Sequence, residues 1–238
     1  MIQLNSQHSS RLQEFFKLIA SCLPVYLALE TLGRILEAAF EPLAAQFGNT
    51  SGRSEDSIAL MAAFVVVSTI WALLSGAIRL LTVRDSLALG KSQLTRTRRV
   101  NLLMIESTRA MASVMFRIPL LILPALLQWI RLAPLPYLVL LSRSYESGEA
   151  DALQLSSKFA SRHKRLTILI AALPLFTLIP EFLFTTNASA ASSFLHQPFQ
   201  HIGSILTMST IKLAFDALIL NLVSRKLTHI EETCRIES

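Results

Sequence analysis

Apolar residues along this chain gather into long unbroken blocks. They do not alternate as in half-buried strands, nor keep to one face as in soluble helices. Roughly 20 mostly apolar residues carry a helix across about 30 Å of hydrocarbon. The block 58–83 is the clearest, and its one charge, Arg79, stands near its end, where a long stem can snorkel. Blocks 166–184 and 203–223 follow, the second carrying Lys212 and Asp216. Block 15–40 is apolar at first and then turns amphipathic with Glu30, Arg34 and Glu37. The pattern predicts an all-α polytopic membrane helix bundle with four clear spans.

The block 111–141 is too long for one straight span and short for two. It holds Pro119, Pro124, Pro134 and Pro136, with Arg117 and Arg131. Proline cannot continue the i to i−4 ladder, so a broken helical hairpin is expected here, for a total of five or six membrane helices. Two short helices fit if residues from Asn101 onward join. Irregular backbone at membrane depth must be covered by protein or line a wet cavity.

Composition agrees with a single integral membrane domain over 1–238. The chain is 52% hydrophobic and 16% charged, against about 25% charged in a soluble domain. Its mean hydropathy is +0.50. Soluble, disordered, collagen-like and disulfide-framework classes are excluded. The two cysteines, Cys22 and Cys234, belong to a span and to a cytoplasmic tail, and no disulfide is expected. Ile19-Ala20-Ser21-Cys22 looks like a lipoprotein box, but Lys17 leaves almost no apolar stretch before it. A helix running through Cys22 is expected instead.

Charge sets the orientation through the positive-inside rule. Segment 84–110 has six basic and two acidic residues, and 142–165 has five and three. Segment 41–57 has one basic and three acidic residues, and 186–202 has none of either. The two basic segments are expected in the cytoplasm, with both termini, as in a bacterial inner membrane. Segment 147–165 predicts a cytoplasmic helix: Ser147 as N-cap, Glu149 and Asp151 in the first turn, His163, Lys164 and Arg165 in the last. Ala152, Leu155 and Phe159 form one apolar stripe on it, open to a partner helix or to the bundle's own cytoplasmic face.

Ionisable groups within spans are costly and invite functional readings. Glu30, Arg34, Glu37 and Glu41 share one helical face, suiting either a gate or an interfacial ion-pair ladder. Lys212 and Asp216 stand four apart near the middle of the last span, suiting a mutual pair that serves as a relay or a clasp. Arg117 and Arg131 bracket the prolines and offer planar forks to lipid phosphate. The run Lys91, Arg96, Arg98 and Arg99 also suits an anionic leaflet, at about 1 kcal/mol per cation. It lacks the aromatics of a nucleic-acid platform, so no nucleic-acid partner is expected. Ser68, Ala72 and Gly76 permit close helix packing, internal or between copies.

No phosphate-binding glycine loop, His-Glu-x-x-His or nucleophile elbow occurs. His196 and His201 have no third ligand nearby. No metal, cofactor or enzymatic activity is expected.

The stretch Trp129–Leu141 (WIRLAPLPYLVLL), the turn at Glu146-Ser-Gly-Glu-Ala, the Ala152-Leu-Gln-Leu-Ser-Ser helix and the His-Lys-Arg before a span form one further pattern. It resembles a loose group of bacterial six-helix inner-membrane proteins related to the membrane domain of glycerophosphodiester phosphodiesterases. Arg131, Gly148, Ala152 and Leu153 match the group's positions. The tryptophan usual after the basic end is absent, and Ser157-Lys158 stands where Arg-Ser is usual. The resemblance covers 129–168 and implies a multi-helix membrane part without catalytic residues. The expected function is a non-catalytic scaffold or subunit that organises a partner or lipids. The alternative is a small transporter or lipid-handling protein built on the Lys212–Asp216 pair and the hairpin cavity.

Overall fold

A computed structural model of the chain describes residues 2–49, 55–89, 94–117, 119, 122–173 and 198–236. Within the three longest helices, side chains are described for 16–40, 59, 62–86 and 202–227. Among the described residues the chain is helical, without strands. Its helices are α1 (Ile2–Asn49), α2 (Glu55–Ser86), α3 (Arg96–Met115), α4 (Ile122–Leu132), α5 (Leu135–Leu141), α6 (Arg143–Glu146), α7 (Ala152–Arg162), α8 (164–173) and α9 (Pro198–Ile236).

Four stretches are long and apolar enough to cross a membrane: Phe16–Phe40, Ala62–Ser86, Ile122–Leu141 and Ile202–Leu227. No more than 33% of any of them is buried within the protein. Val65, Val66 and Ile70 on α2, and Leu206 and Leu218 on α9, are exposed. Apolar helices with so little cover belong in lipid, and the chain is a membrane protein. The expected span at 166–184 begins inside α8, and its residues 174–184 lie outside the described ones.

The chain packs as two compact units. The first combines Met1–Gly76 with Thr177–Leu213, the second Ala77–Phe176 with Ala214–Ser238. In the first, α1 and α2 run antiparallel. The rings of Phe40 and Phe64 meet at 5.0 Å, and seven residues back along α1 Gly33 faces Trp71, seven residues on along α2. A Cβ at Gly33 would lie 3.1 Å from the indole Nε1. The close approach falls here and not at the Ser68-Ala72-Gly76 stripe, where Ala72 is exposed and a Cβ at Gly76 would meet no atom within 4 Å. Helix α1 continues through Cys22, which is fully buried as a free thiol, with Tyr26 buried one turn on.

In the second unit the helical hairpin differs from the one expected within 111–141. Its first arm is α3, so it begins at Arg96; its turn follows Met115, and its second arm is α4 and α5. Helix α3 packs on both halves of that returning arm. The shift has a physical cause: α3 is amphipathic, not wholly apolar, so its charges interrupt the apolar block although the helix packs on the returning arm. The prolines act as expected. Pro124 stands in the first turn of α4, Pro134 caps α5 and Pro136 lies in its first turn, all places where a missing N–H is tolerated. The break between α4 and α5 frees carbonyls at the end of α4. One of them, Arg131 O, accepts the Ser156 hydroxyl at 2.8 Å from α7. Leu132, Leu135 and Ala152 form the core here, with Ala110, Val114, Val139, Tyr145 and Leu153 against them.

The cytoplasmic-helix expectation also needs correction. Ser147 ends α6 instead of starting a long helix, because Gly148 follows at φ +79° and turns the chain. The N-cap of α7 is Asp151, whose carboxylate accepts the Gln154 amide. A second left-handed residue, Ala88 at φ +50°, closes the end of α2, where Leu89 N–H reaches Arg84 O at 3.2 Å. An L-residue there costs about 1 kcal/mol. Ala88→Gly is therefore expected to raise stability by about 0.5–1 kcal/mol, and Gly148→Ala to lower it by a similar amount. Reversible unfolding in one detergent, read by circular dichroism, checks both signs.

Candidate functional site

Three features gather the chemistry of this chain, one in the first unit and two in the second. The first is an ion cluster on α1 and α9. Lys212 Nζ lies 2.7 Å from Glu30 Oε2. Arg34 reaches Glu30 at 3.9 Å and Glu37 at 3.4 Å. The Glu30 and Lys212 side chains are only 13% and 20% exposed. On α1 Arg34 joins Glu30 and Glu37, three of the four residues of the expected ladder, while Lys212 pairs with Glu30 on another helix in place of the expected Asp216. A partner on another helix lets the ammonium reach a carboxylate directly, with no curl back along its own turn. Asp216, one turn on, instead falls within the electrostatic reach of Tyr137, together with Arg79. At about 1.5 Å per residue, Glu30 stands about 21 Å from Phe16 and Lys212 about 22 Å from Leu227. The two charges therefore match in depth for spans of opposite direction. The Glu41 side chain, Lys91 and His196 lie outside the described residues, as does the His201 side chain.

The second feature was not legible in the sequence. Glu106 on α3 is buried and accepts three hydrogen bonds. Arg109 donates to both its oxygens, at 2.9 and 3.0 Å, and the Tyr145 hydroxyl donates at 3.2 Å. Arg109 also donates to Asp151 at 3.2 Å, so one guanidinium ties α3 to the cap of α7. Burial first, then the Glu106 charge and hydrogen bond, push the Tyr145 pKa up to about 12. The hydrogen bond to Glu106 and its charge likewise raise Arg109. Glu106 and Arg109, three apart, were the one local signal; Tyr145, 39 positions away, gave none.

The third feature is an apolar groove of about 490 Å³ in the second unit. Ala110, Met111 and Val114 of α3, Trp129 of α4, Pro136 of α5 and Ile170 of α8 line it. Met115, on its wall, is exposed, as are Phe116, Ile122 and Leu123 nearby in the chain. Arg117 and Arg131 are both exposed, and Arg117 donates to Gln128 at 2.8 Å. Among the described residues neither has an ion-pair partner.

The other basic candidates are engaged locally. Arg96 donates to the Thr82 hydroxyl at 3.0 Å, and Arg99 pairs with Asp85 at 3.2 Å and donates to Leu94 O. Arg98 is exposed at the start of α3, where Thr95 caps its backbone amide. Of the α7 stripe, Ala152 and Phe159 are 1% exposed and Leu155 is half-buried. That stripe is used inside the unit, with Phe159 against His163 at 5.0 Å, so it is not a face held out to a partner helix. Among the described residues no three potential metal ligands converge. The chain matches no protein-family model, no curated protein and no solved structure.

Two outcomes are expected. Glu30→Leu or Lys212→Met alone leaves a half-buried charge and costs about 3 kcal/mol, while the double substitution recovers most of that. A double-mutant cycle on unfolding in detergent measures it. For Tyr145, the folded state resists ionisation, so its contribution is complete below pH 10, the ordinary tyrosine value, and is lost as pH rises toward 12. Tyr145→Phe should lower stability by about 1–2 kcal/mol at pH 8 and flatten the fall between pH 10 and 12 relative to the wild type. Stability measured against pH for both proteins checks this.

Proposed function

We propose that this chain is a non-catalytic multi-pass protein of a bacterial inner membrane that organises lipids or a partner subunit. The observation that carries the proposal is the groove of the second unit. It falls in the volume range of small-molecule sites, about 300–1,000 Å³, yet its lining is mostly apolar, with Ser107 and Tyr137 its hydroxyl groups, and among the described residues it holds no acid or base beside them. Such a surface retains an apolar chain and does not transform it. The ion cluster of the first unit supports the same reading, since its four charges sum to zero and serve to hold α1 to α9.

Both termini belong in the cytoplasm on this proposal. The excess of Lys and Arg in 84–110 and 142–165 supports that orientation. The resemblance of 129–168 to the membrane part of glycerophosphodiester phosphodiesterases supports a bacterial setting and a role beside catalysis. A second reading, a small transporter, is favoured by one observation: Lys212 and Glu30 form a titratable pair well inside two spans.

Extraction from native membranes into nanodiscs, followed by mass spectrometry of co-eluting proteins and lipids, separates the two. The expected outcome is a lipid or protein companion in fixed ratio to the chain. A chain that elutes alone, and whose proteoliposomes show solute flux abolished by Lys212→Met, would instead establish the transporter.

A further inference from the structure

A hydroxyl turned away from water needs a hydrogen-bond partner. Within the helices of this chain the usual partner is local: Thr69, Thr82, Thr108, Thr207 and Thr210 each donate to the carbonyl four residues back, at 2.7–2.8 Å. Three polar side chains on the wall of the apolar groove do otherwise: Ser107 of α3, Trp129 of α4 and Tyr137 of α5. Among the described residues none of the three has a hydrogen-bond partner. Tyr137 is also buried, at 8% exposure. Two other hydroxyls without a partner, Thr167 and Ser209, are sealed by protein where no ligand reaches them. Those of Ser107 and Tyr137 belong to residues that border an open space.

The hairpin brings these two to one end of the groove. Helix α3 packs on the returning arm, with Ala110 and Val114 against the cluster of Leu132 and Leu135. The arms are antiparallel, so a step back along α3 to Ser107 matches a step on along α5 to Tyr137. From that end Met111, Val114 and Met115 continue the wall over about 12 Å of α3. Met115 is exposed, so the far end is open to the membrane. Among the described residues no acidic or basic side chain lines the groove. Asp216 and Arg79, within electrostatic reach of Tyr137, are opposite in sign and leave no net charge to answer. A charged head would lack a counter-ion here, so an uncharged one fits. Each hydroxyl can both donate and accept, so the pair suits a head that offers a carbonyl oxygen and a hydroxyl together.

We propose that the groove binds one uncharged acylglycerol, with its acyl chain along α3 and its ester and glycerol groups on the hydroxyls of Ser107 and Tyr137. This rests on the lipid-organising reading above and deepens it by naming the class of lipid and the residues that select it. The phosphate of a phospholipid finds no cation on this wall. A simple ester offers a carbonyl alone and leaves the acceptor side of both hydroxyls unmet. Trp129, one of two tryptophans in the chain, stands on the wall and reports occupancy.

The test uses the full chain with Trp71→Phe, which leaves Trp129 as the sole tryptophan, in nanodiscs of phosphatidylcholine. A monoacylglycerol with a brominated chain is titrated in, and Trp129 fluorescence is read. The expected result is quenching that saturates. The unbrominated monoacylglycerol should relieve it, the methyl ester of the same chain should do so more weakly, and phosphatidylglycerol should not. Tyr137→Phe and Ser107→Ala should each weaken binding roughly tenfold, the loss of one hydrogen bond out of water. Ala110→Leu, which narrows the groove and keeps both hydroxyls, should also weaken it. Thr108→Ala, beside Ser107 but with its hydroxyl held by Met104 O, should change nothing. Circular dichroism on each variant separates lost binding from lost fold. Saturable quenching that Tyr137→Phe and Ser107→Ala leave unchanged in folded protein, or that phosphatidylglycerol relieves equally well, overturns the assignment and leaves the groove as a site for any acyl chain, with the lipid-organising reading in place. Quenching that rises in proportion to added lipid and never saturates overturns the assignment and removes the groove as support for that reading.

Discussion

Glu30 and Lys212 are separated by 182 positions in the chain, and their 2.7 Å contact joins the first membrane helix to the last. The rest of the first unit is compatible with many small rotations of one helix on another, because apolar side chains in lipid lose little by sliding. A charge in hydrocarbon tolerates no such freedom. Removing its partner costs several kcal/mol, so the pair sets which faces of α1 and α9 meet and at what height. Gly33 then admits Trp71 on the neighbouring face of α1, and the Phe40–Phe64 contact follows from the same antiparallel register.

The second unit obeys the same constraint with different means. Its charges stand on an amphipathic helix, so Glu106 is covered by protein and answered by a guanidinium and a phenol. Its backbone is interrupted at Pro134, so a freed carbonyl must be answered as well, and Ser156 does this from α7. Both contacts bring α7 and its preceding turn against the hairpin, which explains why Ala152 and Phe159 are core residues. The hairpin's break thereby becomes the wall of the groove. The break at Pro134 frees the carbonyl that Ser156 answers, and Pro136 just beyond it lines the groove.

The places where sequence reasoning fell short share a cause. The hairpin was expected within 111–141, with residues from Asn101 able to join, because that apolar block is long and holds four prolines, yet its first arm is an amphipathic helix starting at Arg96. Mean hydropathy selects wholly apolar runs, and α3 mixes charges with the apolar residues that pack on α4, α5 and α7. Lys212 was expected to pair with Asp216 because only intrahelical neighbours are visible along one helix. The same blindness hid Tyr145 and Asp151 as partners of the Glu106–Arg109 pair. Ser147 was expected to cap a helix that Asp151 caps, since capping residues crowd that stretch and the turn at Gly148 decides among them.

What the sequence by itself determined is the solvent and the secondary structure. Long apolar blocks cannot be kept in water, and backbone in hydrocarbon must satisfy its own hydrogen bonds, so membrane helices follow from composition and block length alone. The proline positions likewise determined where a helix had to stop. Only the tertiary structure decided the pairings: Glu30 with Lys212, Glu106 with Tyr145, Arg109 with Asp151, Arg131 O with Ser156, and the faces that enclose the groove. Each of these depends on the rotation of one helix about its axis relative to another. That angle is set by the sum of many weak contacts and a few strong ones, and no local pattern encodes it.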